Sequence, residues 1–296
     1  DHRDLHSFPT RRSSDLVDFV TIHILPYWED YPISVENSLE HIKHTHNEVA
    51  SILKDKKLLI GETGWPSEGR MREASLPSPI SQAEFIRGFL SIANEHGWNY
   101  NIIEAFDQSW KRASEGAVGG YWGIYDENSN DKNIIDGDIS EFPNYGQLFI
   151  VSLVLFMISL VFIDKGQNSE NGSIIKALLF AFVSAILLSL QLNQYIITSK
   201  DFIDYSRSLV SFVGMMVLYI YVLNIYLNFT QNNTVVKSFD TARLFMVAFV
   251  FIEAFAICVD GRYKSFANYG LFFLLIVFAI LYFKQISSTF STDLFE

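Results

Sequence analysis

Five long apolar runs fill the second half of the chain and decide what it can become. Residues 148–163 hold sixteen positions without a charge, and similar runs follow at 174–197, 209–229, 244–259 and 266–283. Hydrophobic helices of this length in series leave no polar face for water, so the stretch fits lipid better than a soluble core. The sequence predicts an all-α transmembrane bundle over residues 147–296, with five spans at about 147–163, 174–197, 209–229, 244–259 and 266–283. Polar stretches such as DKGQNSENGS (164–173) and TQNNTVVKSFD (230–240) read as the loops between them. Glu253 is the only acid well inside an apolar run. It reads either as a transport or relay group or as a bundle-facing carboxyl paired with a neighbouring helix. Gln191, Asn193 and Gln194 read as interhelical hydrogen-bonding groups.

Charge divides the chain at the same place. Residues 17–146 hold 21 acids against 10 bases, whereas 147–296 hold nine of each, so the whole net charge of −11 lies in the first part. An acidic balance without a basic stripe excludes nucleic acid as a partner. The single Cys258 excludes an intrachain disulfide. His41, His44 and His46 with Glu48 fall on the polar face of a helical pattern without a supporting ligand set, so no metal and no cofactor is expected.

Residues 1–16 (DHRDLHSFPTRRSSDL) lack periodicity and abut a strand pattern with no cap or turn between. SFPTRRSSDL resembles one reading frame of a common sequencing-adapter oligonucleotide, so this segment is expected to be an assembly artefact and is set aside.

Residues 17–25 (VDFVTIHIL), 57–61 (KLLIG) and 100–106 (YNIIEAF) are short β-branched runs that read as buried strands. Helical patterns separate them. Residues 35–53 align Val35, Leu39, Ile42, Val49 and Ile52, and 81–96 align Ala83, Phe85, Phe89 and Ile92, with Ser34 and Ser81 as N-caps. Strand and helix in alternation mean β/α units on a parallel sheet, whose functional groups gather at the carboxyl ends of the strands. The three strand ends carry His23, Tyr27 and Trp28; Glu62 and Trp65; and Glu104, Asp107, Trp110 and Lys111. Aromatic faces stack on pyranose rings, and carboxylates bind hydroxyls or cleave glycosidic bonds, so this set suits a sugar site. Packing is the competing role for each aromatic, with Tyr27 and Trp65 the first choices as sugar contacts. His23 reads equally as a sugar ligand or a satisfied strand-end histidine.

GETGWPS at 61–67 resembles the nucleophile motif of glycoside hydrolase family 17, the β-1,3-glucanase family. HILPYWED (23–30) resembles the end of that family's sixth barrel strand, and IEAFDQSWKR (103–112) with VGGYWGIYD (118–126) resembles its eighth strand and closing segment. The resemblance covers roughly 130 residues of a (β/α)8 barrel that typically needs about 250. It implies an α/β fold made of strands 6–8 of a TIM barrel over residues 17–146. It also implies Glu62 as catalytic nucleophile, with Gly61 and Gly64 permitting close backbone approach to substrate. His23, Tyr27, Trp28, Trp65, Glu104, Asp107, Trp110 and Lys111 become the substrate-binding set. The family's acid/base, a glutamate in an Asn-Glu pair ending the fourth strand, has no match here, so the stretch is expected to be inactive alone. Gln108 stands where the plant branch has a glutamate, which suggests the bacterial branch.

The resulting expectation is a retaining β-glucan hydrolase or transglycosylase held in the bacterial inner membrane, its glucanase module facing the periplasm. The lysine and arginine count is nearly even. Lys165, Lys176, Lys237, Arg243 and Lys284 fall on one side and Lys200, Arg207, Arg262 and Lys264 on the other, so the orientation rests on glucan being outside. Expected partners are β-glucan, membrane lipid and a glycosyltransferase, on the same chain or separate. The alternative is a non-catalytic glucan-binding or scaffolding protein of a polysaccharide export system.

Overall fold

The computed structural model describes residues 17–53, 56–164, 171–227, 232–261 and 266–292. The expectation for residues 1–16 lies outside them, as do Lys165, Arg262 and Lys264 of the loop count. The chain divides into two compact units, the first ending at Glu141 and the second starting at Phe142.

In the first unit β1 (Phe19–His23), α1 (Val35–Ile52), β2 (Lys57–Thr63), α2 (Pro79–His96) and β3 (Asn99–Ile102) alternate. The strands pair in parallel in the order β1-β2-β3, and parallel neighbours require the crossovers that α1 and α2 supply. The core between sheet and helices combines Ile24, Ile60 and Trp65 with Val35 and Ile42 of α1 and Ala83, Phe85, Ile86, Phe89 and Ala93 of α2. The helical stripes are therefore present, although Ile52 at the end of α1 is exposed.

Two boundaries differ from expectation for identifiable reasons. Ser78, not Ser81, caps α2: its side chain accepts the Ser81 N–H, and Pro79 starts the helix with its φ already fixed. The same helix ends at Gly97, whose left-handed φ of 65° lets its N–H reach the Ala93 carbonyl. β3 was expected to run to Phe106 but leaves β2 after Ile102. The following residues pair instead with the closing segment, Glu104 N–H to Trp122 O (3.0 Å), Ile124 N–H to Glu104 O (2.9 Å) and Asp107 N–H to Tyr125 O (2.9 Å). A four-residue helix, α3 (Arg112–Glu115), and short turns at Pro26–Trp28, Ser109–Lys111 and Ala117–Gly120 complete this unit.

The second unit is helical: α4 (Tyr145–Asp164), α5 (Asn171–Thr198), α6 (Phe202–Leu227), α7 (Asn232–Asp260) and α8 (Asn268–Thr292). Ala177, Ala181 and Ala185 form a small-residue stripe on α5, which lets neighbouring helices pack closely around Leu188, Met215, Tyr219, Val222, Phe273 and Val277. Among the described residues three stretches, Ile174–Thr198, Phe202–Leu223 and Asp240–Asp260, are long and apolar enough to cross a membrane; Tyr145–Val161 and Asn268–Phe283 are shorter apolar helices. Large apolar side chains, among them Phe149, Leu179, Phe182, Val210 and Phe251, point outward from this unit.

Polar residues that suggested loops prove to be helical. The third apolar run was expected to begin at 209, yet α6 starts at Phe202. Asp201 accepts the Asp204 N–H (2.9 Å) while Asp204 accepts the Lys200 N–H (3.2 Å), a reciprocal cap that anchors the first turn. Arg207 is then taken up by Glu253 of α7, with Ser211 beside it. Likewise α7 starts at Asn232, inside the stretch 230–240 expected as a loop. Gln191, Asn193 and Gln194 of α5 each bond to a group distant in sequence: Gln191 accepts the Gly270 N–H (2.5 Å), Asn193 accepts from Asn144 (2.7 Å), and Gln194 donates to Phe266 O (3.0 Å).

Candidate active site

The site is built at the carboxyl end of the three-stranded sheet. β1 and β2 run in step from Phe19↔Lys57 to Ile22↔Ile60, and then the register slips so that His23 stands opposite Glu62. Gly61 is the extra residue, and a bulge of this kind re-aims the side chains beside it. A Cβ on Gly61 would lie 2.3 Å from Thr21 Cγ2 and 2.9 Å from His23 Nε2, so only glycine leaves the imidazole room. His23 Nδ1 consequently lies 3.2 Å from Glu62 Oε2, with both side chains about half exposed. The ladder continues beyond them through Ile24 N–H to Glu62 O (3.0 Å).

Gly64 serves a similar purpose on the other side. Its absent Cβ would meet Ile103 O at 2.4 Å and the Trp122 ring at 3.3 Å. Both glycines therefore admit the protein's own neighbouring chain, a packing reason for glycine separate from the expected approach of substrate.

The aromatic residues divide by burial. Trp65 and Tyr27 are fully buried: Trp65 Nε1 donates to Leu76 O (3.0 Å) and its ring packs against Phe85, while the Tyr27 hydroxyl donates to Arg70 O (2.6 Å) amid Trp28, Trp65 and Trp122. Neither offers a face to a sugar, so the two aromatics favoured from sequence are packing residues. Trp28 is partly exposed and lies under the Arg72 guanidinium, 5.1 Å from its ring centroid. Arg72 also donates to Tyr27 O (2.6 Å), which fixes the turn that carries both aromatics. Trp110 is 71% exposed, with Lys111 Nζ 5.8 Å from its ring centroid.

The remaining carboxylates are committed to lysines. Glu104 Oε2 accepts from Lys111 Nζ and Gln108 Nε2, each at 2.5 Å. Asp107 takes the Gly123 N–H (2.8 Å) and both its oxygens lie 3.1 Å from Lys132 Nζ. Burial pushes the Asp107 carboxyl up, with Lys132 opposing the rise; burial pulls Lys132 down, with Asp107 opposing. Sequence reasoning missed Lys132 and also Glu68, whose carboxyl is pushed up to about 7 by burial against the pull of Lys132. Neither had a signal in the sequence, since Lys132 lies in a polar loop and Glu68 just beyond the recognised heptapeptide. Among the described residues no group of three or more His, Cys, Asp or Glu is placed to hold a metal ion.

Residues 6–123 match the family model described as the BtgE/BtgC glycoside hydrolase domain. The chain is 29% identical over 136 residues to a glucan 1,3-beta-glucosidase of Saccharomyces cerevisiae, covering 42% of this chain and 41% of that protein. It is 32% identical over 84 residues to a glucan 1,3-beta-glucosidase of Candida albicans, covering 28% and 27%. A solved structure, the glycoside hydrolase family 17 beta-1,3-glucanosyltransferase from Rhizomucor miehei, aligns with a TM-score of 0.38 and 24% identity over 41% of this chain and 44% of that one. The chain spans less than half the length of these relatives.

Proposed function

We propose, on the premise that the chain carries part of a glycoside hydrolase domain of the BtgE/BtgC type, that it derives from a membrane-anchored retaining β-1,3-glucan hydrolase or transglycosylase with Glu62 as nucleophile. The observation that carries the reading is Glu62 itself: an accessible carboxylate at a strand's carboxyl end, aimed by the Gly61 bulge and bordered by His23. The fold reading is that β1, β2 and β3 are strands 6–8 of a TIM barrel.

In this mechanism a Glu62 oxygen attacks the anomeric carbon. The bond to the leaving glucan breaks, a proton passes to its oxygen, and a covalent glycosyl-enzyme forms. Water then gives hydrolysis, whereas a sugar hydroxyl gives transglycosylation, including β-1,6 branches. Retaining chemistry needs a second carboxyl about 5–5.5 Å from the first. The family resemblance assigns that role to a glutamate of an Asn-Glu pair outside the segment that carries the resemblance. Trp110, 71% exposed, is the aromatic of the predicted set that this reading assigns to sugar stacking.

Membrane anchoring is supported by the three helices of spanning length and by the outward apolar side chains of the second unit. A bacterial inner membrane with the hydrolase unit facing the periplasm suits a polymeric glucan substrate. A second reading, glucan binding without turnover, draws on one observation: Glu104 and Asp107 are both tied to lysines, which leaves Glu62 without a free carboxyl partner among them.

Product analysis on laminarin oligosaccharides separates these readings. Lengthened or branched products support transglycosylation, and exclusively shortened products support hydrolysis. Saturable binding with no product, and no release of dinitrophenol from 2,4-dinitrophenyl β-laminaribioside, which needs no proton donor, favours the second reading.

A further inference from the structure

Lys132 lies beyond the residues matched by the family model and outside the aromatic and carboxylate set at the strand ends. Its Nζ nevertheless gathers three separate pieces of chain. It donates to Ser67 Oγ (2.8 Å), to Gly123 O (2.9 Å) and, shared between its two oxygens, to the Asp107 carboxylate (3.1 Å). Those acceptors account for the ammonium's three protons. They belong to the tail of the GETGWPS segment, to the closing segment, and to the chain that follows β3.

The loop that delivers Lys132 is folded for that purpose. Asp126 Oδ1 accepts the N–H groups of Asn128 and Asn130 (2.8 Å each), Tyr125 bridges back to Asp131, and the Lys132 N–H returns to Ile124 O (3.3 Å). Lys132 and Asp107 are only 17% and 10% exposed. Ser67 is otherwise held through Tyr121 O, by its N–H (2.9 Å) and its hydroxyl (3.2 Å). Glu68 and Arg112 face the same cluster.

We infer that Lys132 is a positioning residue for the proposed glycosyl transfer, fixing the 62–67 segment, and with it the Glu62 carboxylate, against the chain that follows β3. A nucleophile must be held in a near-attack geometry, and a displacement of about 1 Å costs on the order of 10²-fold in rate. Lys132 supplies that restraint from the far end of the segment, where the backbone after β2 has left the sheet.

The inference rests on the catalytic reading of Glu62, so its test combines a kinetic and a structural readout on the full chain. Two variants are compared: Lys132→Met, and Lys132→Met with Asp107→Asn, which avoids leaving a buried carboxylate without its counter-ion. Turnover of 2,4-dinitrophenyl β-laminaribioside, whose leaving group departs without a proton donor, is expected to fall about 10- to 100-fold in kcat with KM within about twofold, because ground-state binding is little affected. Amide hydrogen exchange in residues 62–67 is expected to accelerate in both variants without a change in α1 or α2. A folded double variant with wild-type kcat and wild-type exchange in 62–67 overturns the inference. If the wild-type chain releases no dinitrophenol from this activated substrate, the catalytic reading fails, and the exchange measurement still decides the restraint: unchanged exchange overturns it and accelerated exchange sustains it.

Discussion

His23 Nδ1 stands 3.2 Å from Glu62 Oε2 because Gly61 is inserted between two matched stretches of parallel strand. The missing Cβ at Gly61 leaves the space that the imidazole and Thr21 Cγ2 occupy. Gly61→Ala is therefore expected to destabilise the first unit by about 1–3 kcal/mol and to separate the pair. Thr21→Ser deletes the methyl that would lie 2.3 Å from the new Cβ, so the double variant should recover part of the loss in a urea melt. Equal stability of Gly61→Ala and wild type would contradict the close packing.

His23→Ala removes a partner that is itself about half exposed, so its effect is bounded by the modest value of exposed ion pairs, roughly 1 kcal/mol. The expected outcome is a decrease of about fivefold in kcat/KM on 2,4-dinitrophenyl β-laminaribioside, which needs no proton donor, with an unchanged melting temperature. A loss above 10²-fold would instead assign His23 a direct role in the chemistry.

Glu68 predicts a pH dependence of stability. Its folded-state value of about 7 lies above its ordinary 4.5, so between those pH values the folded chain holds a proton that the unfolded chain has released. Stability contributed by this group is thus present below about pH 4.5, falls as pH rises, and levels off above about pH 7. Glu68→Gln abolishes that loss. The variant should match wild type near pH 4 and exceed it at pH 8 by about 2 kcal/mol after allowance for partial exposure. Unfolding curves that stay parallel from pH 4 to 8 would count against the shift.

In the helical unit Arg207 and Glu253 join α6 to α7, with Glu253 fully buried. Arg207→Ala leaves an uncompensated buried carboxylate and is expected to cost about 3–5 kcal/mol, whereas Arg207→Met with Glu253→Leu should lie near wild type or above it. Thermal unfolding in detergent micelles checks the order of the three proteins. A double variant as unstable as Arg207→Ala would show that the pair holds the helices together by more than mutual neutralisation.

What the sequence made legible follows from how local each signal is. The alternation of β1, α1, β2, α2 and β3 could be read because β-branched runs and period-3.6 stripes are encoded within a few residues, and the place of Glu62 at the end of β2 because the apolar run stops just before it. Tyr27 and Trp65 could not be sorted from Trp110, since an aromatic beside a strand end looks the same whether its ring meets sugar or meets Phe85 and Trp122. The end of β3 was misjudged because the competitor for its hydrogen bonds, residues 122–125, lies some twenty residues downstream. Lys132 was invisible for the same reason: its partners at 67, 107 and 123 come together only in the folded chain. The start of α6 was hidden by Asp204 and Arg207, whose charges suggest a loop until their partners Lys200 and Glu253 are seen.

The central claim is that Glu62 is the nucleophile, and it can be tested apart from any requirement for a proton donor. A 2-deoxy-2-fluoro-β-laminaribiosyl fluoride carries a leaving group that departs without protonation, and its 2-fluorine slows breakdown of the glycosyl-enzyme. Mass spectrometry of the treated chain should show the added glycosyl mass on the peptide containing GETGWPS, localised to Glu62 and absent from Glu62→Gln. Labelling of another residue, or none on a folded chain that binds the reagent, would contradict the account.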